Sequence, residues 1–338
     1  MPGTGLARNG EIGATPRANV AFSRSLRSWL LDDADPSVRL RVLRDLLDRP
    51  PDDPERRSAQ AAIGRTGWAR RILDEQLGGG TWVSTRTDRR SLYRPKYIAT
   101  TWKLIVLAEL GLSGRHPRVQ RALSRYLRTF GSGSSAGIGF PAGEVCLTGN
   151  LARTLVLFGR GDERPTRAAF DWLVRHQKRD GGWNCFPRST GTLDGWEALA
   201  AFSVVPPPKR SAAVDRAVAR GAEFYLDRGL LREGRGSYAP WRRLHYPNHY
   251  YYDVLVGLSM LVRLGYAEDR RLRPALELLE SKRRTDGRWG LDAYHPDSED
   301  PEYQVRPPVY PFVLETVGPP SRWITVTALE VLRACGRG

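Results

Sequence analysis

The chain has 338 residues, 41% of them apolar, with ten tryptophans and a formal net charge of +16. This length and apolar content support a large buried core and exclude a disordered chain. The longest apolar stretches, such as 104–107 and 198–202, fall far short of the roughly 20 residues of a membrane span.

The positive charge does not by itself imply a nucleic-acid partner. The basic residues are mostly arginine, with lysine only at Lys96, Lys103, Lys178, Lys209 and Lys282, and they are spread along the chain instead of forming a block. A solvated basic surface follows, and no nucleic-acid partner is expected. The sharper alternative is peripheral contact with an anionic membrane surface, or attraction to a diphosphate-bearing substrate. Cys146, Cys185 and Cys335 are widely spaced and form no CxxC pair, so no disulfide framework is expected.

Residues 1–20 lack the apolar core of a secretory signal and are expected to be a disordered leader, which points to the cytoplasm. Residues 21–50 are expected to form an N-terminal helical extension, with Asp35-Pro36-Ser37 as a cap that places proline at the first helical position. After a Pro- and Asp-rich loop at 50–54, residues 55–338 alternate between two kinds of helix. Amphipathic helices are predicted at 68–77, 117–130, 166–178, 212–227 and 271–284. More apolar ones are predicted at 97–110, 146–158, 194–204, 249–264 and 323–334. A long acidic, Pro-containing excursion at 296–320 precedes the last of these.

A repeat marks the junctions. Ile72…Gln76…Gly80-Thr-Trp82, Leu173…Gln177…Gly181-Gly-Trp183 and Leu279…Arg283…Gly287-Arg-Trp289 share one pattern, with weaker copies at Gly139-Phe140 and Gly236-Ser237-Tyr238. The aromatic positions recur roughly every 43 to 58 residues, the range of helix-pair repeats. Glycine supplies the positive φ that ends a helix, tryptophan packs back on the helix end, and glutamine satisfies freed backbone groups. These three tryptophans are therefore expected to be structural. An all-α, α/α toroid of about five to six helix pairs follows, with the apolar helices inside and the amphipathic ones outside.

The motif Phe170-x-x-Leu173-x-x-x-Gln177-x-x-x-Gly181-x-Trp183 resembles the QW repeat of squalene–hopene and oxidosqualene cyclases, shared loosely with protein prenyltransferase β subunits. The resemblance extends over roughly residues 65 to 335, about four fifths of the chain. It implies a central cavity entered where the inner helices start. Cavity-lining residues are then expected at Trp102, Cys146, Asn150, Cys185, Trp196, Glu197, Tyr252 and Trp323. Cyclases of this class protonate their substrate with a DxDD motif, which is absent here. The nearest positional counterpart is Asp194, read either as a general acid or as the cap of its helix. Prenyltransferases hold zinc with Asp, Cys and His. Their Asp-x-Cys pair is absent, so no cofactor is expected, although a ring could bring Cys146, Cys185, His249 and Asp253 together around zinc.

His249 and Asp253, spaced i, i+4 on the helix predicted at 249–264, are expected to share one helix face. They lie in the densest polar-aromatic segment, 245–253, which is either a cavity wall or a packing seam. Asp194, Asp253 and His249 are the catalytic candidates. Three readings of function compete. The first is a ring that binds, and in its stronger form transforms, an isoprenoid or other apolar molecule. The second is a non-catalytic structural or interaction ring. The third is a carbohydrate-active ring with Asp194 and Asp253 facing each other across the cavity. The sequence leaves the oligomeric state open.

Overall fold

The computed structural model describes residues 23–83, 90–93, 95–130, 144–234, 236–249, 251–294 and 313–337. The expected leader, the Gly139-Phe140 turn and most of the 296–320 excursion lie outside them. Among the described residues the regular structure is helical, with only isolated β-bridges.

Six helix pairs follow in order among these residues. The outer members are α1 (Arg24–Leu31), α4 (Gly67–Asp74), α7 (Pro117–Phe130), α9 (Arg164–Arg175), α11 (Ala212–Asp227) and α13 (Arg273–Ser281). Their inner partners are α2 (Pro36–Arg41), continued by a π-helical turn Val42–Leu46, then α6 (Thr100–Glu109), α8 (Val145–Leu157), α10 (Glu197–Ser203), α12 (Val254–Arg263) and α14 (Arg322–Ala334). Two short helices, α3 (Pro54–Ala62) and α5 (Arg90–Tyr93), fill the connections before α6. The inner helices are buried nearly all round, as in α6, where every residue from Thr100 to Ala108 is buried. The outer ones bury only one face, such as Val214, Ala217, Val218 and Gly221 of α11.

The inner helices pack in sequence, α6 on α8, α8 on α10, α10 on α12, α12 on α14, and α14 on α2 and its π turn. The remaining gap closes at Gly111, which lies against Leu40 and Ile63 and whose carbonyl accepts from Gln60 of α3 (2.9 Å). The expected N-terminal extension is thus the sixth pair. Asp35 carries it into place. One carboxylate oxygen caps α2 at Ser37 N (2.9 Å), and the other accepts from Trp68 N at the start of α4 (2.6 Å). Gly67, at φ +68°, makes room: a Cβ there would lie 2.2 Å from that second oxygen.

The three strong repeat turns have one geometry. Trp82, Trp183 and Trp289 donate their indole N–H to the carbonyls of Ile72 (2.5 Å), Leu173 (2.8 Å) and Leu279 (2.7 Å). Gly80, Gly181 and Gly287 sit at φ +84°, +89° and +81°. Gln76 donates to Gly80 O (3.3 Å) and to Arg118 O of α7 (3.0 Å). Gln177 donates to Gly181 O and to Ala217 O of α11, both 2.8 Å. Each glutamine therefore ties one outer helix to the next. In the third turn Arg283 replaces it and lies over the Trp289 ring at 5.3 Å. At the weak copy near Gly236, Tyr238 is exposed and the nearby Trp241 is the buried aromatic instead.

Trp183→Phe keeps an aromatic six-membered ring but strands the buried Leu173 carbonyl and leaves a gap in the core, and is expected to cost at least about 1–3 kcal/mol. Gly181→Ala places a Cβ 2.3 Å from the Arg220 carbonyl oxygen at a left-handed φ and is expected to cost more. Urea unfolding midpoints of the two variants check both.

Candidate functional site

Because each inner helix follows an outer one, the six inner helices run parallel and end at the same rim. Inside that rim lies a chamber of about 1080 Å³. Its wall comes from the C-terminal halves of the inner helices, including Arg41, Glu109, Arg153, Met260, Arg263 and Glu330, and the loops 111–115 and 158–159 border it. It therefore opens at the C-terminal ends of the inner helices, opposite to the end expected from the resemblance.

The floor is made by the segment before α12. His245, Tyr246 and Asn248 line the chamber with Trp196, Asp253 and Trp323. This segment crosses the ring and is held from four sides. Tyr246 stacks on Trp323 of α14 (centroids 4.3 Å apart, 22° between planes). His245 Nδ1 lies 2.8 Å from Asp253 Oδ2, at the start of α12. Asn150 of α8 donates to His249 O (2.6 Å). The His249 ring meets Tyr97 and Trp102, before and within the first turn of α6, at 5.0 and 5.4 Å. The polar-aromatic segment is both a chamber floor, through His245, Tyr246 and Asn248, and a packing seam, through His249 and Tyr252.

Of the residues expected on the wall, Trp196 and Trp323 line the chamber; Trp102, Cys146, Asn150, Cys185, Glu197 and Tyr252 do not. Tyr252 is buried and donates to Leu230 O (2.9 Å). Cys146 and Cys185 meet, with Cys146 N donating to Cys185 Sγ (3.1 Å). Glu197 is fully buried at the tight α8–α10 contact, where a Cβ on Gly149 would lie 2.5 Å from the Glu197 carbonyl carbon. Burial, and then the nearby Cys185 and Asp194, raise its carboxyl well above the usual range.

The catalytic candidates separate. α12 begins at Val254, and His249 lies before it at φ +51°, so His249 and Asp253 share no helical face. Burial lowers the His249 imidazole to about 3, which keeps it neutral. Asp253 instead caps α12 at Val256 N (2.9 Å) and accepts from His245 N (3.1 Å) and Asn248 Nδ2 (3.2 Å). Asp194 does not cap α10. It accepts the Trp241 indole N–H (3.0 Å), which ties the start of one repeat to the end of the next. The four residues considered for zinc are not assembled, since Asp253 faces His245 and His249 faces aromatics. Among the described residues no group of three or more His, Cys, Asp or Glu could hold a metal ion.

The sequence reading missed the charged wall. Glu330 of α14 accepts from Arg41 through both oxygens, Nε at 3.0 Å and Nη2 at 2.5 Å. Arg153 Nη2 lies 2.5 Å from Glu109, and Arg44 makes two bonds to Asp45 (2.7 and 2.6 Å). Arg41 and Arg153 also lie over the Trp323 and Trp196 rings, at 4.5 and 5.1 Å. The available signal was a charged residue inside a helix that is otherwise apolar all round.

No known family model and no curated protein matches the chain. Among solved structures it is similar to a protein from Actinoplanes, with 19% identity, 89% of each chain covered and a TM-score of 0.43. It is also similar to a type II terpene cyclase from Scytonema solved with geranylgeranyl dihydroxybenzoate, with 15% identity, 78% of this chain and 93% of that chain covered, and a TM-score of 0.28. Among the described residues no helix is long and apolar enough to cross a membrane.

Burial raises the Asp194 carboxyl from 3.8 to about 6. The folded chain then holds this proton more tightly than the unfolded chain, so Asp194 contributes stability that is full below about 4 and is lost as pH rises through about 6. Asp194→Asn, neutral throughout, is expected to gain stability relative to wild type as pH rises across that window. Urea midpoints of both proteins from pH 4 to 7 measure the difference.

Proposed function

We propose that the protein is a terpenoid-cyclase-like ring that binds an isoprenoid or comparable apolar chain in its central chamber. The observation that carries this is the chamber itself. Its volume, about 1080 Å³, is at the upper end of small-molecule sites, and Trp196, Tyr246, Trp323, Met260 and Ile324 offer apolar and aromatic surface toward its floor.

Binding is favoured over cyclisation. Protonating an alkene needs a strong acid aimed at the substrate, and each acidic side chain on the described wall already faces a cation or an imidazole: Asp45 with Arg44, Glu109 with Arg153, Glu330 with Arg41, and Asp253 with His245. Glu197, whose carboxyl burial raises well above the usual range, does not line the chamber. The carbohydrate-active alternative draws no support from Asp194 and Asp253. Asp194 is bonded to Trp241 and does not line the chamber, while Asp253 is occupied by the floor.

Incubating the purified protein with prenyl diphosphates and with squalene, followed by mass spectrometry of the extracted complex, tests this reading. Retained isoprenoid is expected from the wild type. Ser259→Trp, which fills the chamber from α12, is expected to abolish retention while leaving cooperative unfolding intact. Neither product nor bound lipid in the wild type would overturn the proposal.

A further inference from the structure

We propose that Arg263 makes the chamber selective for an anion: the ligand carries a carboxylate or phosphate head on its apolar body, and the head binds at this guanidinium. The inference rests on the chamber being a ligand site and specifies the chemistry of that ligand.

Arg263 is the last residue of α12. It lies on the chamber wall and is exposed to solvent there, although it is set deep among the ring's helices. Burial lowers its guanidinium from the usual value, but arginine keeps its charge. The acids around it are already taken. Glu330 is held by both guanidinium nitrogens of Arg41, Glu109 by Arg153 and Asp45 by Arg44. Arg263 feels Glu330 and Asp45 only at longer range, and no described residue makes a hydrogen bond or ion pair with it. With Arg115 on the bordering loop it is one of two chamber guanidiniums that no described carboxylate pairs, and it is the one carried by an inner helix.

A cation near a helix C-terminus can simply serve the helix. That role is filled at α12. The carbonyls of Met260, Leu261 and Val262 accept from the backbone N–H groups of Leu264, Tyr266 and Gly265, which leaves Arg263 without a capping task. The wall also has polar atoms that are incompletely satisfied. The Tyr246 hydroxyl, buried against the floor, and Glu109 Oε2 lie near one another, yet neither completes a well-formed hydrogen bond in the described structure. Of the two, the Tyr246 hydroxyl can donate to water or to a ligand, whereas the Glu109 carboxylate oxygen can only accept and offers an anion nothing. With aromatic surface below and a free guanidinium at the level of the rim, the chamber fits an amphipathic anion lying with its tail toward the floor.

Three probes with one apolar body separate the possibilities: dodecanol, dodecanoate and dodecyl phosphate, each below its micelle concentration, titrated into the full-length protein by calorimetry. The wild type is expected to bind one or both anions about 10- to 100-fold tighter than the alcohol, the size of a charge-assisted hydrogen bond. Which anion gains more distinguishes a carboxylate head from a phosphate head. Arg263→Gln is expected to erase that preference while still binding dodecanol, and Arg263→Lys to keep part of it. Arg273→Gln, on the outer helix α13, is the control and should change nothing. Equal binding of the three probes by the wild type, or an anion preference that survives in Arg263→Gln, overturns the assignment of Arg263 alone. Binding of none of them overturns the chamber reading and this inference together.

Discussion

Everything in this ring depends on a bond from an indole N–H to a carbonyl ten residues earlier. Trp82, Trp183 and Trp289 each make it, and each thereby folds the chain back over the end of an outer helix. The last carbonyls of a helix need partners, and a buried one left alone costs about 1–3 kcal/mol. The tryptophan satisfies one such carbonyl and buries its ring in the same step. The left-handed glycine before it sets the direction of the turn, and glutamine, where present, carries the constraint on to the next outer helix. At these three turns the same local chemistry joins the end of an outer helix to the chain that leads into its inner partner.

The inner helices then have no freedom to be amphipathic. With neighbours on both sides, an outer helix behind and the lumen in front, they are buried almost all round. Charged residues survive in them only where the lumen is wet or a partner waits. Arg41, Arg153, Arg263 and Glu330 are of that kind, and Lys103, buried beside Glu75 at 2.7 Å, shows the same rule toward the outer layer. Paired guanidinium and carboxylate groups on a lumen wall contribute little net stability. Their more telling property is that they leave Arg263 as the one inner-helix guanidinium of the wall without a direct partner among the described residues.

The segment 245–249 decides which end of the ring is open. A closed ring of parallel helices has two ends, and nothing in the pairing of inner with outer helices prefers either. By laying His245, Tyr246 and Asn248 beneath the lumen and anchoring His249 to α6 and α8, this segment places the chamber at the C-terminal ends. The residues that the family resemblance would put in a cavity, Trp102, Asn150 and Glu197 among them, become packing on the far side of that floor.

The sequence by itself determined the helix pairs and their turns. Both follow from interactions within one or two turns of chain: the 3.6-residue apolar period, glycine at positive φ, and an indole that reaches back ten residues. Even the cap at Asp35 was legible, though its second bond, to Trp68, was not. Only the tertiary structure decided that residues 24–46 form the sixth pair, that Asp253 faces His245 and not His249, and that the chamber is walled by arginine and glutamate. These facts rest on groups brought together from distant parts of the chain, such as Arg41 and Glu330, 289 residues apart. A periodic pattern says which face of a helix is buried but not which helix it meets, and ring closure is a property of all six pairs together.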